Sequence, residues 1–358
     1  MRYLFLFFVA APALMTTGCE SRVSLVNTTA GAGGAAPIVC EPHTWGRTGE
    51  QPADGPSAER LPDGRGLTLA ISELDFGVDS GWQALGFNLD DHVTDSGEGP
   101  CAPVSGSTGQ QDGQNGIDNA FGNHVVPMLE TMLDGFQERV NLAIEAGRFS
   151  YLFAIEALGE ESRYYPVVTR LYQGADLGEA PAFDGKDNWP IRGDSLLNPS
   201  DIESAKNTLH CSYLSDDVWV SEPMPALDIE LRIDETNALA LHLREVVVSM
   251  DIDANRKSAS GGRLGGMITV DDLADAIVPI MDALGEDICD AKIYEDFLDE
   301  LRQAADVRIG AKSGGSCNAL SVGLGFNAKS ARLGSVALAP PPKPNPCTEG
   351  ATGSPSGP

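Results

Sequence analysis

Residues 227–233 read Leu227-Asp228-Ile229-Glu230-Leu231-Arg232-Ile233, and residues 239–243 read Leu239-Ala240-Leu241-His242-Leu243. Apolar side chains at every second position turn one face of an extended chain to a core and the other to water. The same period recurs in Leu67, Leu69 and Ile71, in Leu85, Phe87 and Leu89, and in Leu320, Val322, Leu324 and Phe326. Phe149 to Leu158 and Tyr164 to Tyr172 are more continuously apolar, as central strands are. The expected class is mainly β (α+β): an antiparallel β-sandwich with inserted helices, stapled by disulfides.

Three stretches break the two-residue period. Val125, Leu129, Met132, Phe136, Val140 and Ile144 fall at helical spacing and stop at Gly147, a suitable C-cap. Thr269 and Asp272 resemble a capping box ahead of the stripe Val270, Leu273, Ile277, Met281 and Leu284, with Pro279 expected to kink the helix. Ile293, Phe297, Leu301 and Ala304 predict a third helix. The glycine-rich run Gly261-Gly262-Arg263-Leu264-Gly265-Gly266 reads as a hairpin or bulge region.

The chain has 358 residues, 52 acidic against 24 basic side chains and a net charge of −28, with mean hydropathy −0.12. Nucleic-acid partners need a basic stripe, and the sequence carries none. Neither a P-loop nor a dinucleotide fingerprint occurs, which argues against a nucleotide. Residues 1–18 are expected to be a signal peptide and 19–66 a flexible Ala/Gly/Thr/Pro-rich tether. The β-sandwich-rich domain is expected over 67–338, and a Pro-rich disordered tail over 339–358.

Arg2, the apolar stretch Tyr3 to Met15 and Thr16-Thr17-Gly18-Cys19 resemble a bacterial lipoprotein signal. That resemblance implies cleavage before Cys19, a lipid carrying acyl chains such as palmitate on the new N-terminal cysteine, and attachment to a membrane. Thr16 departs from the aliphatic residue usual three places before the cysteine. Glu20 stands in place of the Asp associated with inner-membrane retention, so the expected location is the outer membrane or cell surface. With Cys19 lipidated, six of the seven cysteines remain, enough for three disulfides in an oxidising compartment. The pairings expected among the fifteen possible are Cys289 with Cys317, Cys40 with Cys347, and Cys101 with Cys211.

The densest acidic region holds Asp90, Asp91 and Asp95, followed by Asp112, Asn115, Asp118 and Asn119 among glycines. Calcium takes six to eight oxygen ligands, and Asp and Asn in tight turns supply them. Residues 112–119 resemble the calcium loops of thrombospondin-type repeats, while Gln114 and Gly116 occupy places where an EF-hand needs ligands. These seven residues are the candidate calcium ligands, with Asx-turns on a solvated surface as the plainer account.

Gly193-Asp194-Ser195-Leu196 resembles the nucleophile block of GDSL-type hydrolases, which implies a base His three residues after an Asp late in the chain. The last histidine, His242, has Leu239 in that place, and a serine without its base is inert. The five histidines show no metal-hydrolase spacing. With the Gly116-Ile117-Asp118-Asn119-Ala120 block and Cys317-Asn318-Ala319-Leu320-Ser321-Val322-Gly323-Leu324-Gly325-Phe326, the chain is similar to lipoproteins of myxobacteria and related bacteria for which no activity can be carried over. The expected function is a lipid-anchored envelope protein that binds or scaffolds, calcium-stabilised. Whether it is an enzyme is left open, with the balance against, and its envelope or extracellular ligand is unspecified. The alternative is an exported hydrolase with a carboxylate-based, glycoside-type site or, further down, a serine hydrolase.

Overall fold

A computed structural model describes residues 38–40, 45, 48–56, 59–95, 99–104, 108–285, 287–310, 315–340 and 346–349. The chain divides into two units between Cys40 and Glu41, and the described strands and helices all belong to the unit beginning at Glu41. The signal region and Cys19 lie outside the described residues.

Eleven strands among the described residues form one sheet. They are β1 (Leu67–Asp75), β2 (Ser150–Ile155), β3 (Tyr164–Gly174), β4 (Asn188–Arg192), β5 (Asn207–Ser215), β6 (Val218–Val220), β7 (Met224–Arg232), β8 (Ala238–Ile252), β9 (Ser258–Thr269), β10 (Ala319–Ser330) and β11 (Arg332–Ala337). The path β3–β2–β1–β10–β9–β8–β6–β5 returns to β3, because β5 also pairs with β3. The mainly β, helix-inserted architecture therefore holds, and its two faces belong to one sheet closed on itself. Every pairing on that ring is antiparallel; β4 with β11 is parallel and makes the sheet mixed. Closure leaves the ring strands without free edges, and edges remain at β7 and β11, which lie off the ring.

The alternating residues supply the interior. Ile71, Phe153, Ile229, Val248, Leu264 and Leu324 surround an apolar cavity of only about 30 Å³, so side chains all but fill the barrel. Phe153 stacks on Phe326 at 5.6 Å and meets Trp219 edge-on at 5.7 Å. Trp82, Trp189 and Trp219 are all buried, so none serves as an exposed platform for a sugar. The edge of β7 away from β8 is closed by a side chain: the Tyr151 hydroxyl donates to the Glu230 carbonyl and accepts from the Glu230 amide.

The glycine-rich run is a strand with a bulge. Gly261 and Gly262 interrupt the β8–β9 register between Ser260 and Arg263, and Gly261 has φ +55°. In contrast, the alternation of Leu85, Phe87 and Leu89 marks no strand: these residues form a loop laid across β9 and β10, with Phe87 buried.

The first helical stretch divides into α1 (Val126–Leu133) and α2 (Phe136–Glu145), since Asp134 and Gly135 adopt φ +50° and +97° between them. A π-helical turn, Phe121–Val125, leads into α1. α3 (Val270–Ala283) runs through Pro279 and starts at Thr269, whose hydroxyl accepts the Asp272 amide. α4 (Ala291–Ala304) is capped by Asp290, and a short α5 spans Pro346–Glu349.

The expected disulfide pairings are corrected. Cys101 bonds Cys317, not Cys211, because Ala102 forms a parallel bridge with Ser316 and brings the two cysteines together. Cys289 bonds Cys347, leaving neither for Cys317 or Cys40. Cys40 and Cys211 are disulfide-bonded as well. The body also reaches beyond 67–338. In the segment expected as tether, the Glu50 amide donates to the Asn115 carbonyl and the Trp45 indole to the Tyr213 hydroxyl at 2.7 Å; Cys347 fastens the segment expected as tail.

Candidate functional site

The loop residues 85–95 and 108–119 are held on the barrel by one side chain. The Asn119 carboxamide donates to the carbonyls of Trp82, Leu85 and Gly323 at 3.1–3.2 Å, and its oxygen accepts the amides of Gly122 and Gly323 at 2.9 Å. These bonds exhaust its donors and its lone pairs. Gly323 makes the approach possible, since a Cβ there would stand 2.1 Å from the Leu85 carbonyl oxygen.

This anchoring brings carboxylates together. Asp118 is 2% exposed and accepts the Leu89 amide at 2.7 Å. Asp112 accepts the Thr94 amide at 2.6 Å, and Asp90 accepts the His92 amide at 2.8 Å. From the chain after α4 comes Asp306, which accepts the Ser321 amide at 2.8 Å and the Ser321 hydroxyl; that hydroxyl accepts the Ala120 amide. Asp90, Asp112 and Asp306 line a cavity of about 10 Å³ with Thr94 and the Cys101–Cys317 disulfide. Asp118 is not in that lining but lies near enough to Asp90, Asp306 and Asp112 for their charges to repel its own.

Burial dominates the electrostatics. It raises Asp90 to about 6 and Asp306 to about 7, against 3.8 for an ordinary aspartate, and lifts Asp118 further, with Asp90 and Asp306 adding repulsion. Asp112 is raised as well, again by burial first. Burial and mutual repulsion both disfavour the charged forms, so at neutral pH the cluster holds protons unless a cation neutralises it.

The expected calcium set thus divides. Asp90, Asp112 and Asp118 converge. Asp91 and Asp95 are exposed, Asn115 is exposed with its amide 3.4 Å from a Glu50 oxygen, and Asn119 is committed to backbone. Asp306 was missed, because nothing in its local sequence distinguishes it and only the barrel brings it beside the loop. Among the described residues no three His, Cys, Asp or Glu side chains form a ready-made metal centre.

The hydrolase residues do not assemble. The Ser195 hydroxyl accepts the Gln173 amide, Asp194 pairs with the buried Arg192 at 2.5 Å, and the His242 ring bonds Asp228. At the carboxylate cluster the cavity is too small for a sugar ring. No family model matches the chain, and no curated protein or solved structure matches it.

Proposed function

We propose that the chain is an exported, lipid-anchored envelope protein with a binding or scaffolding role, whose carboxylate cluster takes up one divalent cation of the calcium type. The observation that carries the cation reading is the convergence of Asp90, Asp112 and Asp306 on one small cavity, with the buried Asp118 beside them. All donors are hard oxygens, as calcium requires, and the space suits an ion and not an organic substrate. Asp90, Asp112 and Asp306 would hold the ion, with the Asp118 charge adding to the negative field around it. The cation would replace the cluster's protons and tie the 85–118 loops to β10. Export and the anchor at Cys19 rest on the lipoprotein-type signal, and the three disulfides are consistent with an oxidising compartment.

Thermal unfolding with calcium and with a chelator tests the cation. A ligand at a hundred times its Kd adds about 2.7 kcal/mol, which moves the melting temperature of a domain this size by several degrees. The rise should vanish in Asp112→Asn. An unchanged melting temperature in the unmodified protein would overturn the cation reading.

A further inference from the structure

Beside α1 and α4 lies an open cleft of about 510 Å³, within the range of small-molecule sites. Its polar groups come from Thr108, Gln110, His124, Glu300 and Gln303, while Val125, Met128 and Leu301 supply apolar surface. His124 belongs to the π-helical turn, a widened geometry often found at functional sites.

The hydrogen bonds fix which nitrogen of His124 carries the proton. The Gln110 amide nitrogen donates to the Gln303 carbonyl at 2.8 Å, and a carbonyl can only accept, so Gln110 turns its oxygen to the ring. That oxygen lies 2.6 Å from His124 Nε2, which must then donate. Asn123 Nδ2, 3.3 Å from the same nitrogen, is a packing contact. Burial lowers the ring's pKa and favours the neutral form, so a lone pair remains on Nδ1, for which no hydrogen-bond partner occurs among the described residues. Among the described residues the wall of the cleft carries the His124 ring and the Glu300 carboxylate, and no lysine or arginine.

We propose that this cleft binds a small organic ammonium ion, its N–H groups shared between His124 Nδ1 and the Glu300 carboxylate, its hydrocarbon part on Met128 and Leu301. The chain's charge of −28 favours a cationic ligand over an anion of the same shape. This inference is independent of the carboxylate cluster and is tested in chelator.

The probes are n-butylammonium and butyrate, matched in their alkyl chains and opposite in charge, titrated calorimetrically into the folded protein. Butylammonium should bind with Kd on the order of 1 mM and butyrate should not. Glu300→Gln and His124→Phe should each weaken binding about tenfold, while Asp296→Asn, on the solvent side of α4, should leave it unchanged. Equal uptake of butyrate, no uptake of butylammonium, or undiminished binding in both site variants would overturn the proposal. If a variant loses its native melting transition, the comparison of the two probes on the unmodified protein decides. A nitrogen-15 spectrum placing the His124 proton on Nδ1 would overturn it as well.

Discussion

At the scale of single residues, Asn119 holds the most consequential position. Five backbone groups from three parts of the chain meet its carboxamide, and removing it leaves buried amides and carbonyls without partners. Asn119→Ala should cost about 3 kcal/mol in urea unfolding, well beyond a surface substitution. A loss under about 0.5 kcal/mol would show that water replaces the side chain. The acidic run reads as a ligand set because Asp and Asn are interchangeable in a pattern of oxygen donors. In the fold, Asn119 can donate to carbonyls and Asp118 cannot, so neighbours in sequence take separate roles.

At the scale of elements, the Cys101–Cys317 disulfide joins the loop before Ala102 to the entry of β10 and forms part of the carboxylate cavity wall. Its cysteines are 216 residues apart, so it constrains a long loop of the unfolded chain. Cys101→Ser with Cys317→Ser should lower stability by about 2–4 kcal/mol in urea unfolding. If the cation reading holds, the double variant should also show a smaller calcium-induced rise in melting temperature. The strands β1, β7 and β8 were legible because one side of each is partly wet. So was β10: it is buried on both sides from Ala319 to Phe326, but small Ser321, Gly323 and Gly325 alternate with its large apolar residues and keep the period. Strand β9 was not: glycines at 261, 262, 265 and 266 carry no side-chain pattern, although a Cβ at Gly265 would stand 2.8 Å from the Phe87 ring. The sheet needs Gly265 to admit the overlying loop, and that loop carries the alternation that imitates a strand.

At the scale of the whole molecule, the acidic charge becomes a dependence on pH. Folded-state values of about 6 for Asp90 and about 7 for Asp306 exceed the ordinary 3.8, so the folded chain keeps protons that the unfolded chain has already released. Their contribution to stability is complete below about pH 4 and is lost as pH rises through 6 and 7. For Asp234 and Asp253 burial pushes upward, but hydrogen bonds from nearby backbone amides outweigh it and lower both values, so their opposite effect falls below about pH 4. His124, lowered by burial, works the other way up to about pH 6.5, but it is one group against the four raised aspartates. In chelator, melting temperature should therefore fall between about pH 4 and about pH 7.5, and calcium should shrink that fall. A melting temperature that climbs across this interval in chelator would contradict the buried cluster.

The amino-acid sequence by itself determined the strand-rich class, the three apolar helical stretches and most of the carboxylates at the cluster, because periodicity and turn chemistry are local. Closure through β3 and β5, the disulfide partners, Asp306 and the protonated nitrogen of His124 were decided by tertiary structure alone. Each depends on groups far apart in the chain, whose pairing energy exists only once the barrel has set their separation.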